Sequence, residues 1–217
     1  MNFDQEGHLI ATPEEIDRLA RAGEFSKLIN EVLLIGTPAA FATYRGFRDF
    51  VDGVADGLAV HPSCIVFRGS TKLGFSIAPR SDKLWVEMGP DSDIDLAIVD
   101  PDHFHFLDAE VRRWERRATS FHGQSFTKRM KLRANRAFYC YRYMDLPDTA
   151  LVQKYQAAMD RASAPSPPGC NRPVTAFFYR DWWSVFSRYE SDLRQLVRGL
   201  RSDLSAGPKT PKPRPIQ

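Results

Sequence analysis

Phe67-Arg68-Gly69-Ser70-Thr71-Lys72-Leu73-Gly74 and Ser92-Asp93-Ile94-Asp95-Leu96-Ala97-Ile98-Val99 are the two stretches on which the fold turns. In the second, Ile94, Leu96 and Ile98 alternate with their neighbours and β-branched residues are dense, which predicts a short strand. A period of two puts Asp93 and Asp95 on one face. Two carboxylates side by side on a strand repel, and a chain usually tolerates that where a cation sits between them. Mg²⁺ is the natural ion, with Mn²⁺ as its substitute, because it takes one or two protein carboxylates and completes its shell with water and phosphate oxygens. In the first stretch, the apolar run Ile65-Val66-Phe67 stops at Gly69-Ser70, where glycine allows a sharp turn and a close approach to a ligand. The turn's amides and the Ser70 hydroxyl suit phosphate oxygens, and Lys72 is near enough in sequence to add a positive charge.

A strand, a Gly-Ser turn and then a strand bearing Asp-x-Asp resembles the DNA polymerase beta-like nucleotidyltransferase superfamily. Gly69, Ser70, Gly74, Ser92, Asp93 and Asp95 carry the resemblance, which covers roughly residues 63–100. It implies that Gly69 and Ser70, with Lys72, position the triphosphate of a nucleoside triphosphate, and that Asp93 and Asp95 are catalytic metal ligands. The implied reaction is Mg²⁺-dependent transfer of a nucleoside monophosphate to a hydroxyl on an RNA end, a protein, a second nucleotide or a small molecule. One ion on Asp93 and Asp95 would activate the nucleophile, and another would travel with the triphosphate. Small bacterial proteins of this likeness often belong to toxin–antitoxin or phage-defence systems, with an operon-encoded partner. The interval between the motifs is long for the superfamily, and residues 75–86 read as an extra loop or hairpin. Active members commonly add a third carboxylate from a later strand. Asp145, just past an aromatic strand over 137–143, is the nearest acid for that role, although Asp145-Leu146-Pro147-Asp148 also reads as a turn and helix cap.

Around this centre the chain reads as α/β (α+β): a small mixed sheet flanked by helices, with a helical C-terminal part. The organisation expected is a nucleotidyltransferase-like domain over 1–146, a helical part packed on it over 147–204, and a basic, proline-rich tail over 205–217 with nothing to bury, hence disordered. Thr12-Pro13-Glu14-Glu15 opens a first helix, to about residue 30, with Thr12 as N-cap and Glu15 closing a capping box. A second helix carries Phe41, Tyr44, Phe47, Phe50, Val51, Val54 and Leu58 at helical spacing, and such a stripe is core. A third runs over about 102–120, with His103 and His105 at its start as surface or capping groups and the arginines of 112–117 on a solvated face. Residues 147–162 form a further helix, 163–169 a linker or wrapped loop, and 174–204 the longest helix. Its apolar stripe either forms one wall of the cleft against the sheet, the preferred arrangement, or makes a homodimer interface.

Composition bounds these readings. With 217 residues, 43% hydrophobic and 26% charged, the chain is long enough for a sizeable core. A net charge of +3 is too mild to prove a nucleic-acid partner. The basic run over 128–136 leads into the aromatic strand, and could hold a phosphate-bearing acceptor or be an exposed helix beside a sheet strand. The three cysteines, Cys64, Cys140 and Cys170, have neither zinc nor disulfide spacing. Together with a start that lacks signal-peptide character and no apolar stretch near membrane length, they predict a cytoplasmic protein with no membrane span. A different class of function is a degenerate transferase that binds nucleotide or a partner without turnover; a weaker one is a nucleic-acid-binding module built on 128–143 and the tail.

Overall fold

The computed structural model describes residues 2–5, 7, 9–78, 84–115, 138–140, 150–166 and 169–205. Its first elements are a short ribbon of β1 (Asn2–Phe3) and β2 (Leu9–Ile10) and helix α1 (Pro13–Arg21). The Thr12 hydroxyl accepts from the Glu15 amide at 3.3 Å, so the expected cap forms. The helix does not continue to residue 30. Gly23, at φ +76°, ends it, and the chain restarts as α2 (Phe25–Lys27), which widens into a π-helical turn over Leu28–Leu33. Next come α3 (Tyr44–Leu58), β3 (Ile65–Arg68), the single turn α4 (Ser70–Leu73), β4 (Ile94–Val99) and α5 (Pro101–Glu115). The described remainder is β5 (Phe138–Cys140), α6 (Ala150–Ser163), β6 (Val174–Tyr179) and α7 (Trp182–Ser205).

Four strands form one mixed sheet in the order β3-β4-β6-β5. β3 runs antiparallel to β4, β4 parallel to β6, and β5 antiparallel to β6. One sheet face carries Ile65, Phe67, Ile94, Leu96, Ile98, Val174, Ala176 and Phe178, and packs under α3, α5 and α6. The other carries Val66, Ala97, Val99 and Tyr179 under α1, the π-helical turn and α7. Leu96 and Ile98 are fully buried, each contributing on the order of 1.5–3 kcal/mol. The chain is therefore mixed α/β, with a sheet held between two helical layers. Among the described residues no helix is long and apolar enough to cross a membrane.

Two further expectations change. Residues 174–179 are a strand, because β-branched and aromatic residues in Val174-Thr175-Ala176-Phe177-Phe178-Tyr179 fill a place between β4 and β5 that is buried on both faces. The helix begins only at Trp182, where Asp181 caps it by accepting from the Ser184 amide at 2.7 Å. The segment beyond residue 147 is thus not helical throughout, since it supplies an inner strand of the sheet. Second, His103 turns inward: its ring stacks on Phe178, its Nδ1 lies 2.8 Å from Asp100 Oδ1, and its Nε2 lies 3.2 Å from the Leu58 carbonyl. The basic run 128–136, Asp145, Asp148 and the tail after 205 lie outside the described residues.

Helices α3 and α6 meet at Gly57, where a Cβ would stand 3.0 Å from that of Ala158. Gly57→Val should force the helices apart and cost about 1–3 kcal/mol by overpacking, measured as a lowered urea midpoint with an unchanged slope. Unaltered stability would mean that this contact is looser than the geometry described.

Candidate functional site

The two motif stretches meet at the β3 and β4 edge of the sheet. Arg68, the last residue of β3, is the register partner of Asp95. Directly after it Gly69 adopts φ +64° and ψ −149°, a conformation essentially reserved for glycine. A Cβ added to Gly69 would lie 3.8 Å from Asp95 Oδ2, so the turn's backbone passes against that carboxylate. Thr71, fully buried, returns its hydroxyl to the Arg68 carbonyl at 2.7 Å and fixes the turn. Ser70 is half-buried beside it.

The long interval between the motifs folds back on itself. Phe75 bridges Glu87 in antiparallel fashion, Ser76 and Val86 share a 2.9 Å bond, and the Met88 amide donates to the Gly74 carbonyl at 2.7 Å. The two described ends of this interval therefore pair with each other and return the chain to the Gly-Ser turn. From there Gly89 and Ser92 close a small loop, the Gly89 amide donating to Ser92 Oγ at 3.1 Å. Arg172 ties that loop to the residues before β6, donating to the carbonyls of Gly89 at 2.6 Å and Ser92 at 3.4 Å. Asp93 follows, exposed, and Asp95 is half-buried one pleat further.

Asp95 has neighbours that motif reading did not supply. Across β6 its register partner is Thr175, which is buried. Beside it the Arg68 guanidinium, with a side chain only 12% exposed, donates to Asp192 of α7 at 3.3 Å. Arg188 holds the other Asp192 oxygen at 2.9 Å. Rings of Phe177, Tyr179 and Tyr189 surround the guanidinium carbon, with centroids 5.2, 5.8 and 5.7 Å away. Burial opposes the charge on Arg68, but Tyr179, Tyr189, Asp192 and Asp95 outweigh it and hold the group protonated. Tyr189, whose hydroxyl is pushed up by burial, donates to the Phe67 carbonyl at 3.0 Å and so pins α7 to β3. A cation closing the apolar run of β3 is the sequence signal for Arg68. Pro173 before a β-branched run and Asp181 after it are the signals that place Thr175 on a strand.

The structure thus sets Gly69 against Asp95, with Ser70 next in the turn and Asp93 two residues before Asp95, while Lys72 turns elsewhere. Its side chain is buried and its Nζ donates to the carbonyls of Ile35 at 2.5 Å and Gly36 at 2.6 Å. Three residues beyond the turn, it points into the protein and pins the 35–40 segment, whose Ala39 and Ala40 amides bond the carbonyls of Lys72 and Thr71. Two hard carboxylates beside a close-approach turn suit Mg²⁺, which needs few protein ligands. Among the described residues no group of three or more His, Cys, Asp or Glu side chains has metal-binding geometry.

Burial pushes the Lys72 ammonium down to about 8 from 10.5. Between these values the unfolded chain binds the extra proton and the folded one does not, so this group makes stability rise with pH across that window. Chemical denaturation from pH 7.5 to 10.5 should show that rise in the wild type and a flatter profile in Lys72→Met. Equal slopes would mean that Lys72 keeps its ordinary affinity for protons.

No protein-family model matches this chain, and no curated protein or solved structure matches it, so the meaning of the site rests on its own geometry.

Proposed function

We propose that the chain is a nucleotidyltransferase-like protein that binds a nucleoside triphosphate with Mg²⁺ where Gly69-Ser70 meets Asp93 and Asp95, and transfers its nucleoside monophosphate to a hydroxyl acceptor. The observation that carries the reading is the 3.8 Å approach between the Cβ position of Gly69 and Asp95 Oδ2, which joins a backbone turn suited to phosphate with a carboxylate suited to the metal. Asp93 and Asp95 would hold the ion. When bound, Mg²⁺ supplies charge neutralisation for the phosphoryl oxygens and a lowered pKa for the attacking hydroxyl. The Gly69-Ser70 backbone and the Ser70 hydroxyl would orient the triphosphate, so that the acceptor oxygen bonds to the α-phosphorus as pyrophosphate leaves. Lys72 takes no part.

One observation favours a second reading, nucleotide binding without turnover. The strand beside β4 offers Thr175 at the position paired with Asp95, where a third carboxylate would assist proton removal or metal placement.

Incubation of the protein with each α-³²P-labelled nucleoside triphosphate, Mg²⁺ and a cell extract separates the two. Wild type should label an acceptor, and Asp93→Asn with Asp95→Asn should lower that labelling on the order of 10²-fold or more while leaving the circular dichroism unchanged. Label transfer undiminished in the double variant would sink the assignment of these carboxylates. Mg²⁺-dependent binding with no labelled acceptor would select the second reading.

A further inference from the structure

Lys72 has no role in the reading above, yet its surroundings are unusual for a lysine. The residue is only 6% exposed, and among the described residues no carboxylate pairs with it. A buried cation is costly unless it is both paired and hydrogen-bonded. An ammonium carries three N–H donors. Two go to the carbonyls of Ile35 and Gly36, and among the described residues nothing accepts the third. Lys72 also lines a cavity of about 270 Å³, as does Gly36, whose carbonyl the ammonium holds. Ile65, Val66 and Phe67 border this cavity although their side chains alternate between sheet faces, so it lies along the outer edge of β3, the first strand of the described sheet. Leu34, Phe47, Val51 and Trp182 supply apolar wall. Arg48 is the other charged residue of the lining, and its guanidinium is paired with Asp52 at 3.2 Å. The volume narrows the class of occupant. It exceeds the roughly 150 Å³ in which an apolar cavity takes up benzene, and falls just below the roughly 300–1,000 Å³ of sites for drug-sized ligands. A ring or short chain ending in one carboxylate has the right size, whereas a nucleoside triphosphate is too large and too highly charged.

We propose that this cavity binds a small apolar monocarboxylate, its carboxylate accepting the third Lys72 proton and its body lying against Leu34, Phe47, Val51 and Trp182. Such an anion supplies at once the countercharge and the acceptor that the buried ammonium lacks. A charge-assisted N–H···O bond is among the stronger hydrogen bonds, and more so in a site shielded from water. Burial lowers the ammonium only to about 8, so the charged form that the anion needs prevails at pH 7. The site is separate from the Gly69, Ser70, Asp93 and Asp95 corner and does not depend on the nucleotide reading, so the failure of either leaves the other standing.

The test is isothermal titration calorimetry of the full-length protein with benzoate, phenylacetate and octanoate, each compared with its uncharged primary amide. At pH 7 at least one acid should bind at one site per chain, and its amide roughly tenfold or more weaker, because the amide forfeits the ionic hydrogen bond. Lys72→Met should bring the affinity for the acid down to that for the amide. In the wild type, affinity for the acid should also fall roughly fivefold or more between pH 7 and 9.5 as the ammonium loses its proton, while affinity for the amide stays level. Equal affinity for acid and amide, a level pH profile for the acid, or undiminished acid binding in a folded Lys72→Met would overturn the role of the ammonium. Failure of all three acids to bind at millimolar concentration would overturn the site. Should Lys72→Met not fold, the contrast between acid and amide and the pH profile of the wild type decide.

Discussion

Asp95 is a carboxylate placed on a sheet face that, apart from its register partners Arg68 and Thr175, is lined by apolar and aromatic side chains, and the surrounding architecture answers that one placement. A half-buried charge on an inner strand is costly unless opposite charge and hydrogen-bond donors are brought to it. Arg68 arrives from the adjacent strand and Asp192 with Arg188 from the overlying helix, so the charges form a chain across the sheet face. The glycine at 69 lets the backbone turn away within one residue of that chain. Any side chain there would strain the φ of +64° and fill the space beside the Asp95 oxygen.

The C-terminal third of the protein belongs to this arrangement and does not merely stand behind it. β6 enters the sheet beside β4, which sets Thr175 opposite Asp95 and aligns Phe177 and Tyr179 under the Arg68 guanidinium. α7 then crosses the same face, anchored by the Tyr189 hydroxyl on the Phe67 carbonyl. Arg172, in the turn entering β6, grips the loop that presents Asp93. Both carboxylates are thus positioned by residues some eighty to a hundred places away in sequence, so a change near residues 172–192 can reach the site without touching a motif.

That long reach explains what the sequence disclosed and what it withheld. The Thr12 cap, the strand at Ile94–Val99 and the Gly-Ser turn are local patterns, set by neighbours within a few residues, and each was legible. Val174–Tyr179 was misread because Val174, Phe178, Trp182 and Val185 keep a helical period, while a strand buried on both faces shows no alternation to contradict it. Lys72 shows a different limit of local pattern. Nearness along the chain suggested a phosphate contact, but the single turn of α4 rotates its side chain inward onto the Ile35 and Gly36 carbonyls. Arg68 was in plain view with no role assigned, since only the fold brings Asp192 and three rings around it.

The central claim, that the Gly69-Ser70 turn and the Asp93 and Asp95 carboxylates form one metal–nucleotide site, is tested most directly by anomalous diffraction from crystals grown with Mn²⁺ and a non-hydrolysable nucleoside triphosphate. The account predicts an anomalous peak about 2.1–2.2 Å from oxygens of both Asp93 and Asp95, with triphosphate density lying against the Gly69 and Ser70 backbone. Ordered Mn²⁺ and nucleotide at any other place on the molecule, with both carboxylates facing only solvent, would contradict it.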